Sequence, residues 1–192
     1  MEQTLIVLKP DAVQRGLIGQ IISRFEHVGL KLVGAKLMRV SQELANKHYP
    51  ADRGEFIIGM ANKTIDNYQE LGLDVLQDFG TTDPQQIGLK IRGWLVAAIT
   101  AAPVLAMVWE SPHAVELVRK LVGHTLPLKS APGTIRGDFS FDSSALANLH
   151  KRLIKNMLHA SGNLEEAKLE VALWFKPDEL YTYKRVEEDV MG

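Results

Sequence analysis

Near the end of the chain, an imidazole, a hydroxyl and a carboxylate occur at a spacing that could support nucleophilic chemistry. His159 follows the apolar pair Met157 and Leu158, Ser161 lies two residues later, and Glu170 lies eleven residues after the histidine. The segment after the turn is amphipathic, so Glu170 is predicted on a helix, from which its carboxylate can reach back toward the imidazole. Such a set can orient a nucleophile and fix one imidazole tautomer. The alternative is a packed histidine at the end of a buried strand, and the segment taken alone favours that alternative.

A second set of residues could bind phosphate. Lys9 directly follows an apolar run, and Pro10 then turns the chain, which places the lysine where α/β proteins often bind ligands. Arg119, Thr125 and Arg136 could join it, because guanidinium groups match the geometry of phosphate oxygens. Taken singly, the lysine is more typical of a surface and each arginine of a solvated ion pair. The sequence has no Walker loop and no GxGxxG motif, so side chains would have to do much of the binding.

Composition narrows the class of protein. A chain of 192 residues, 46% hydrophobic and 23% charged, fits one globular domain with a substantial core. The net charge of −1 argues against a general nucleic-acid or membrane surface. The apolar window Trp94 to Trp109 is too short to span a bilayer comfortably, and the N-terminus lacks the features of a signal peptide. The absence of cysteine suits a reducing cytosol. We therefore expect a cytoplasmic protein with no membrane partner and no specific nucleic-acid partner.

The hydrophobic pattern predicts alternating strands and helices. The opening β-α-β-α order indicates an α/β or α+β sandwich. The predicted strands are Thr4–Leu8, Leu30–Val40, Pro103–Glu110 and the short Met157–Leu158. The predicted helices are Gln20–His27, Gln42–His48, Asp66–Phe79, Gln85–Thr100, His113–Val122, Ser143–Lys155 and one opened by Asn163. The stretch Gly123–Asp142 is predicted to be irregular, and a loop of that length is usually functional. The tail, Trp174 to Gly192, is predicted to be an extension that wraps the surface.

A family resemblance joins these residues. The motifs that carry it are TLIVLKPDAVQRGLIGQII from residue 4, HY at 48–49, PVLAMVWE at 103–110, GHTLPLKSAPGTIRGDF at 123–139, NMLHAS at 156–161 and EVALWFKPDEL at 170–180. In order and in most spacings they resemble nucleoside diphosphate kinases. The combination of PGTIRGDF with N-x-x-H-x-S is highly specific. The resemblance implies a ferredoxin-like, four-stranded antiparallel sheet covered by helices, and it reverses the interpretation of His159 in favour of a nucleophile.

The resemblance also implies a role for each matched residue. His159 resembles the histidine that is phosphorylated during turnover, and Glu170 and Ser161 match the residues that orient it. The residues that match contacts to the nucleotide are Lys9 and Asn156 near the ribose and the transferred phosphate, Tyr49 beside them, Arg119, Thr125 and Arg136 at the phosphates, and Phe56 under the base. The Phe56 match is weaker, because the loop before it is about two residues short. An aromatic face stacks on any base, which suits an enzyme that accepts many nucleotides.

The implied reaction is ping-pong phosphoryl transfer from ATP to a nucleoside diphosphate through a phosphohistidine. Mg²⁺ would be bound by the nucleotide phosphates, with no dedicated protein cage. The family usually assembles as a hexamer or tetramer, so we expect a homo-oligomer. A rival interpretation is a catalytically silent regulatory or scaffold domain that keeps the fold. Retention of every matched polar residue argues against it, because a silent domain has no physical need for a buried Lys-Arg-Arg-His set.

Three departures from the family pattern stand out. Within a single domain of residues 1–192, a helical insertion is expected over about 61–95 and a shorter one over about 140–155. The usual H-G-S-D sequence has become His159-Ala160-Ser161-Gly162. The second insertion also creates a competing histidine, His150. His159 is preferred because Asn156 precedes it by three residues and Ser161 and Glu170 follow it at the matching distances.

Overall fold

A four-stranded antiparallel sheet forms the centre of the protein. The computed structural model describes residues 1–186 and 188–191. The strands are β1 (Glu2–Leu8), β2 (Lys31–Met38), β3 (Val104–Ser111) and β4 (Leu158–Ala160), in the spatial order β2-β3-β1-β4. Central β1 pairs with both β3 and β4, and every pairing is antiparallel. This is the ferredoxin-like sheet, so the predicted fold class is confirmed.

Strand β1 is buried on both faces, because helices cover both sides of the sheet. Its successive side chains point to opposite faces. Leu5 and Val7 belong to one hydrophobic cluster, which also contains Trp174 and Phe175. Ile6 belongs to the other cluster, which covers the opposite face. The strand therefore forms a rigid platform between two cores.

Eleven helices are described around this sheet. Their bounds are α1 (Pro10–Gln14), α2 (Ile18–Glu26), α3 (Gln42–His48), α4 (Gly54–Glu70), α5 (Val75–Phe79), α6 (Pro84–Thr100), α7 (Ala114–Val122), α8 (Ile135–Phe139), α9 (Ser144–Leu149), α10 (Leu164–Trp174) and α11 (Glu188–Met191). Single 3₁₀ turns occur at Pro127–Lys129 and Pro177–Glu179. No helix in the described part of the chain is long and apolar enough to cross a bilayer.

The predicted helix over Asp66–Phe79 is wrong. The chain forms α4 and α5 there, separated by a break at Gly72, whose φ of 65° is left-handed. Asp74 then opens α5, because its carboxylate accepts hydrogen bonds from the Leu76 and Gln77 amides, at 2.8 and 3.2 Å. A left-handed glycine followed by a capping aspartate therefore ends one helix and starts another within a single hydrophobic repeat.

The predicted helix over Ser143–Lys155 is also wrong beyond its first half. Helix α9 ends at Leu149, and Lys151 adopts a left-handed φ of 49°. The preceding stretch is less irregular than expected, because it contains α8 and a 3₁₀ turn. The other predicted helices and strands agree with the structure within two residues at each end.

The predicted surface extension begins later than expected. Trp174 is the last residue of α10 and is buried in the core with Phe175. The chain beyond it follows β2, where the Tyr181 amide donates to the Val33 carbonyl at 2.7 Å. Two residues of the expected extension, Glu187 and Gly192, lie outside the described residues.

Helices α4 and α6 approach each other closely at Gly88. A Cβ atom at this position would lie 2.3 Å from the Ile57 carbonyl oxygen, so the backbones would have to separate. We expect Gly88→Ala to lower the free energy of unfolding by about 2–3 kcal/mol through overpacking. Gly93→Ala in the same helix meets no atom within 4 Å. It should raise that free energy by about 0.5–1 kcal/mol, because alanine favours a helix. Urea denaturation of both variants measures the contrast, and equal effects would contradict the close approach.

Candidate active site

His159 lies in β4, and the register of the sheet decides which way it faces. His159 pairs directly with Val7 of β1. Directly opposed residues of antiparallel strands present their side chains on the same face. Val7 belongs to the cluster beneath α3 and α10, so the imidazole points toward these two helices. Its side chain is 21% exposed, which leaves the ring held by the protein yet open to solvent on one side.

The predicted set of His159, Ser161 and Glu170 is assembled. His159 Nε2 lies 2.8 Å from Oε1 and 2.9 Å from Oε2 of Glu170. The Ser161 hydroxyl donates to Glu170 Oε2 at 2.6 Å and accepts from the Leu5 amide at 3.3 Å. Burial raises the pKa of Glu170, but the hydrogen bonds from His159 and Ser161 outweigh it and leave the pKa below its usual value. An ionised Glu170 therefore accepts a hydrogen bond from Nε2–H of His159, and Nδ1 is left with the free lone pair.

Two further residues of this network, His48 and Trp174, had no assigned role in the sequence analysis. The His48 ring stands edge-on to the His159 ring, with centroids 4.5 Å apart. The Trp174 indole donates to His48 Nδ1 at 3.3 Å, which puts the His48 proton on Nε2. Burial, and then the charge of His159, lowers the pKa of His48 to about 3. At neutral pH, His48 is therefore an uncharged ring that packs against the His159 ring. The motifs HY and EVALWF contained both residues, but spacing gave no sign that they would meet.

Lys9 and Asn156 are joined at the carboxyl end of β1. Lys9 Nζ donates to Asn156 Oδ1 at 2.7 Å, and Asn156 Nδ2 donates to the Thr125 carbonyl at 3.0 Å. The Lys9 amide also binds the Met157 carbonyl at 2.8 Å, and the Met157 amide binds the Asp11 carboxylate at 3.0 Å. Asp11 was another residue without an assigned role. Three predicted residues thus lie in one chain of contacts beside His159.

Arg136 is buried, and its guanidinium donates hydrogen bonds to three backbone carbonyls. Nε donates to the Asn156 carbonyl at 3.1 Å, Nη1 to the Gly123 carbonyl at 3.1 Å, and Nη2 to the Leu158 carbonyl at 2.8 Å. Burial, and then the nearby charge of Arg119, lowers its pKa to about 10, so it stays charged at neutral pH. The arginine therefore clamps the strand that carries His159 while adding positive charge beside it.

Arg119 and Lys9 complete a cationic cluster around Arg136. Arg119 is exposed in the last turn of α7, and its charge acts on Arg136. Burial lowers the pKa of Lys9 to about 8, and the charge of Arg136 contributes to the same shift. Asp11 lies close enough for its charge to act on both Lys9 and Arg136, which leaves a net positive charge among these four groups. Such a cluster has the charge to bind a polyanion.

Tyr49 and Phe56 differ in their relation to the site. Tyr49 is buried, its ring contacts the His48 ring at 4.5 Å between centroids, and burial raises the pKa of its hydroxyl well above the usual value. Together with Lys9 it lines a cavity of about 250 Å³. Phe56 is half-buried in the first turn of α4, where the Arg53 guanidinium lies 5.9 Å from its ring centroid. It does not line that cavity.

The competing histidine, His150, is exposed at the end of α9. Its backbone amide binds the Leu146 carbonyl at 3.2 Å, as expected for a helix end. Among the described residues, the side chains grouped as a potential metal site are His48, His159 and Glu170. These are members of the histidine network itself, in which Glu170 accepts from His159 and His48 accepts from Trp174.

Comparison with known proteins agrees with this geometry. A sequence model of the nucleoside diphosphate kinase family matches residues 2–66 and 91–180. The nucleoside diphosphate kinase of Pyrobaculum aerophilum is 46% identical over 180 residues, which are 94% of this chain and 98% of the relative. The nucleoside diphosphate kinase of Pyrococcus furiosus is 41% identical over 183 residues, which are 95% of this chain and 88% of the relative.

Solved structures give the same result. The crystal structure of the Pyrobaculum aerophilum NDP kinase superposes with a TM-score of 0.92 at 44% identity, covering 94% of this chain and 99% of that one. A transition-state mimic of the Borrelia burgdorferi nucleoside-diphosphate kinase with bound vanadate and ADP gives a TM-score of 0.76 at 38% identity, covering 97% and 94%. On this match of sequence and fold, the chain belongs to the nucleoside diphosphate kinase family.

Proposed function

We propose that this protein transfers the γ-phosphoryl group of ATP to a nucleoside diphosphate through a phosphohistidine at Nδ1 of His159. The observation that carries the proposal is the pairing of His159 Nε2 with Glu170 at 2.8 Å. A neutral imidazole that donates from Nε2 presents an unprotonated Nδ1. The alternative of a catalytically silent scaffold finds no support among the relatives, which are named as kinases.

The transfer follows from this tautomer. Nδ1 of His159 attacks the γ-phosphorus in line, a P–N bond forms, and the bond from phosphorus to the bridging oxygen breaks. The nucleoside diphosphate leaves with that electron pair. Positive charge then develops on the imidazole, and the ionised Glu170 stabilises it through Nε2–H. A second nucleoside diphosphate enters the same site and takes the phosphoryl group by the reverse path.

The cationic cluster supplies the phosphate contacts in this proposal. Lys9, Arg119 and Arg136 would neutralise the phosphates, and the Thr125 hydroxyl would donate a further hydrogen bond. Asn156 would hold Lys9 in place, because the two side chains already contact each other at 2.7 Å. Tyr49 would form the neighbouring wall, and Phe56 would stack on the base at the entrance.

Mg²⁺ fits this site only through the nucleotide. In the described part of the chain, the group of side chains able to hold a metal contains two histidines and one glutamate, and Mg²⁺ prefers oxygen ligands. Lys9, Arg119 and Arg136 would instead hold phosphates that themselves carry the ion. When bound there, Mg²⁺ would neutralise charge on the β- and γ-phosphates.

The assembly and the domain organisation are also part of the proposal. We propose a single domain in which the segments 61–95 and 140–155 are insertions; residues 67–90 lie outside the family match. We propose a homo-oligomer, a hexamer or a tetramer. It is supported by two exposed apolar side chains, Phe141 at 83% and Leu128 at 72%, in segments that the bond from the Leu128 amide to the Asp142 carbonyl joins. A cytoplasmic location suits the cysteine-free sequence.

Steady-state kinetics test the proposed function. Initial rates with ATP and GDP, each varied at several fixed concentrations of the other, should give parallel double-reciprocal lines. Without an acceptor, the enzyme should still exchange label between ADP and ATP, because the first half-reaction is reversible. Intersecting lines together with no exchange would show direct transfer in a ternary complex and would contradict a phosphoenzyme.

The pKa of Lys9 predicts an alkaline limit to nucleotide capture. As the pH rises through about 8, Lys9 loses its charge, so kcat/KM for ATP should fall about tenfold per pH unit above that value. Lys9's own contribution to stability changes in the opposite direction. Since its pKa is lower in the folded state, the unfolded state binds more protons above pH 8, and stability rises with pH.

Because kcat/KM and stability change in opposite directions with pH, a loss of nucleotide binding can be told apart from unfolding. A pH profile of kcat/KM from 6.5 to 9.5 should descend while the melting temperature shows no matching loss. In Lys9→Arg the descent near pH 8 should disappear, because a guanidinium stays protonated there. A wild-type profile that stays flat to pH 9.5 would contradict the assignment.

A further inference from the structure

Helices α4, α5 and α6 form a small body with a hydrophobic core of its own. We call residues 54–100 the helical cap. Its buried members are Ala61, Tyr68, Phe79, Ile87 and Ile91. One partly buried side chain packed against this cluster comes from elsewhere in the chain, namely Leu153, which lies just before the site residue Asn156. The cap core therefore contacts the segment that leads into the active-site strand.

Leu153 belongs to a loop that is closed at its base. Asp142 is buried and accepts from the Arg152 guanidinium at 2.6 and 3.1 Å and from the Lys155 amide at 2.6 Å. The Ser140 hydroxyl donates to the Lys155 carbonyl at 2.8 Å. Burial raises the pKa of Asp142, but these donors outweigh it and keep the pKa below its usual value, so the carboxylate stays ionised. The 140–155 loop is therefore a fixed unit.

Two polar contacts tie this loop to the helical cap. Asn148 Nδ2 donates to Asn67 Oδ1 at 2.7 Å. Lys151 Nζ lies 2.6 Å from Asp78, whose carboxylate also accepts from the Tyr68 hydroxyl at 3.2 Å. The cap is in turn fixed to the site, because Arg92 of α6 donates to the Tyr49 carbonyl at 2.6 Å. The loop therefore contacts the cap at three points, Asn148, Lys151 and Leu153.

The cavity beside Lys9 lies between these two units. One wall is α6, with Leu95, Ala98 and Ile99, and another is the segment 152–155 of the loop. Lys9 and Tyr49 also line it. The α6 wall is anchored on the sheet, since Ile99 packs in the cluster that contains Leu5 and Val7. The loop wall is instead held by its contacts with the cap. The width of the cavity therefore depends on where the loop docks on the cap.

We propose that Leu153 is a positioning residue that, by packing into the helical cap, sets the cavity wall against which the nucleoside part of the substrate binds. The inference rests on the proposed function. On this proposal, the helical cap and the 140–155 loop act together in binding the nucleotide. The phosphoryl-transfer network of His159 and Glu170 lies on β4 and α10, outside both units. The cap should therefore control KM more than kcat.

Leu153→Ala tests this split. KM for ADP and ATP should rise about tenfold, while kcat changes by less than about twofold, because the chemical step keeps its residues. Leu149→Ala is the matched control, since it is the same substitution in the same loop at a side chain 59% exposed; its KM should stay at the wild-type value. A role in stability alone would lower the active fraction and kcat and leave KM unchanged, and that result would overturn the proposal.

A double-mutant cycle tests the contact between the units without emptying a core. Asn67→Ala and Asn148→Ala should each raise KM about threefold. The KM of the double variant should equal that of either single variant, because both substitutions remove the same contact. Additive effects, or no effect in either single variant, would overturn the proposed coupling. Labelling of wild-type His159 by ATP distinguishes a failure of the proposed function from a failure of the proposed role of the cap. Absence of label would overturn the proposed function, whereas label with unchanged KM in all variants would overturn only the role of the cap.

Discussion

Replacing His159 with alanine is expected to abolish turnover, with kcat falling about 10⁴-fold or more because no other group can take its place as nucleophile. The fold should survive, since the side chain is 21% exposed and its hydrogen bond is to Glu170 at the edge of the core. A coupled assay of ADP formation measures the rate, and circular dichroism checks the fold.

His150→Ala is the matched control. His150 is exposed at the end of α9, and it should keep wild-type activity within about twofold, as surface substitutions do. If His150→Ala were inactive while His159→Ala turned over normally, the assignment of the nucleophile would be wrong.

Arg136→Met should damage both stability and activity. The guanidinium donates to three backbone carbonyls at 2.8–3.1 Å, and methionine would leave these acceptors without their donor. We expect the free energy of unfolding to fall by about 3–4 kcal/mol, as for a buried charge whose partners are left unpaired. Since the same bonds hold the strand of His159, kcat/KM should fall about 10²–10³-fold.

Arg119→Met separates the two effects. Arg119 is exposed, so its loss should change the free energy of unfolding by no more than about 0.5 kcal/mol. It should still lower kcat/KM about 10–100-fold, because a phosphate contact is removed. Urea denaturation and steady-state kinetics on both variants measure this contrast. Equal losses of stability would contradict the clamp formed by Arg136.

The sheet could be predicted from the sequence because the signals for its strands are local. The run from Thr4 to Leu8 is apolar and is stopped by Lys9-Pro10, so the strand and the position of the lysine follow directly. The motif NMLHAS and the spacing to Glu170 placed the histidine beside its partner, but taken alone they favoured a packed histidine. The resemblance to nucleoside diphosphate kinases, carried by motifs along the whole chain, identified it as the nucleophile.

The rest of the site depends on contacts between distant segments, which no local pattern contains. His48 reaches His159 only because α3 and α10 cover the same face of the sheet. The break at Gly72 and the end of α9 come from single residues that interrupt a continuing hydrophobic repeat. Arg136 was expected to bind phosphate, but nothing in its motif indicated that three backbone carbonyls would share its guanidinium.

The most direct test of the central claim is covalent labelling of the wild-type protein with γ-labelled ATP and Mg²⁺. The account predicts about one phosphoryl group per chain, bound at His159, stable in base and lost in acid, as expected of a phosphoramidate. Addition of GDP should discharge the label as GTP within a single turnover. No label, or an acid-stable label such as a phosphoserine at Ser161, would contradict the proposal that His159 carries the phosphoryl group.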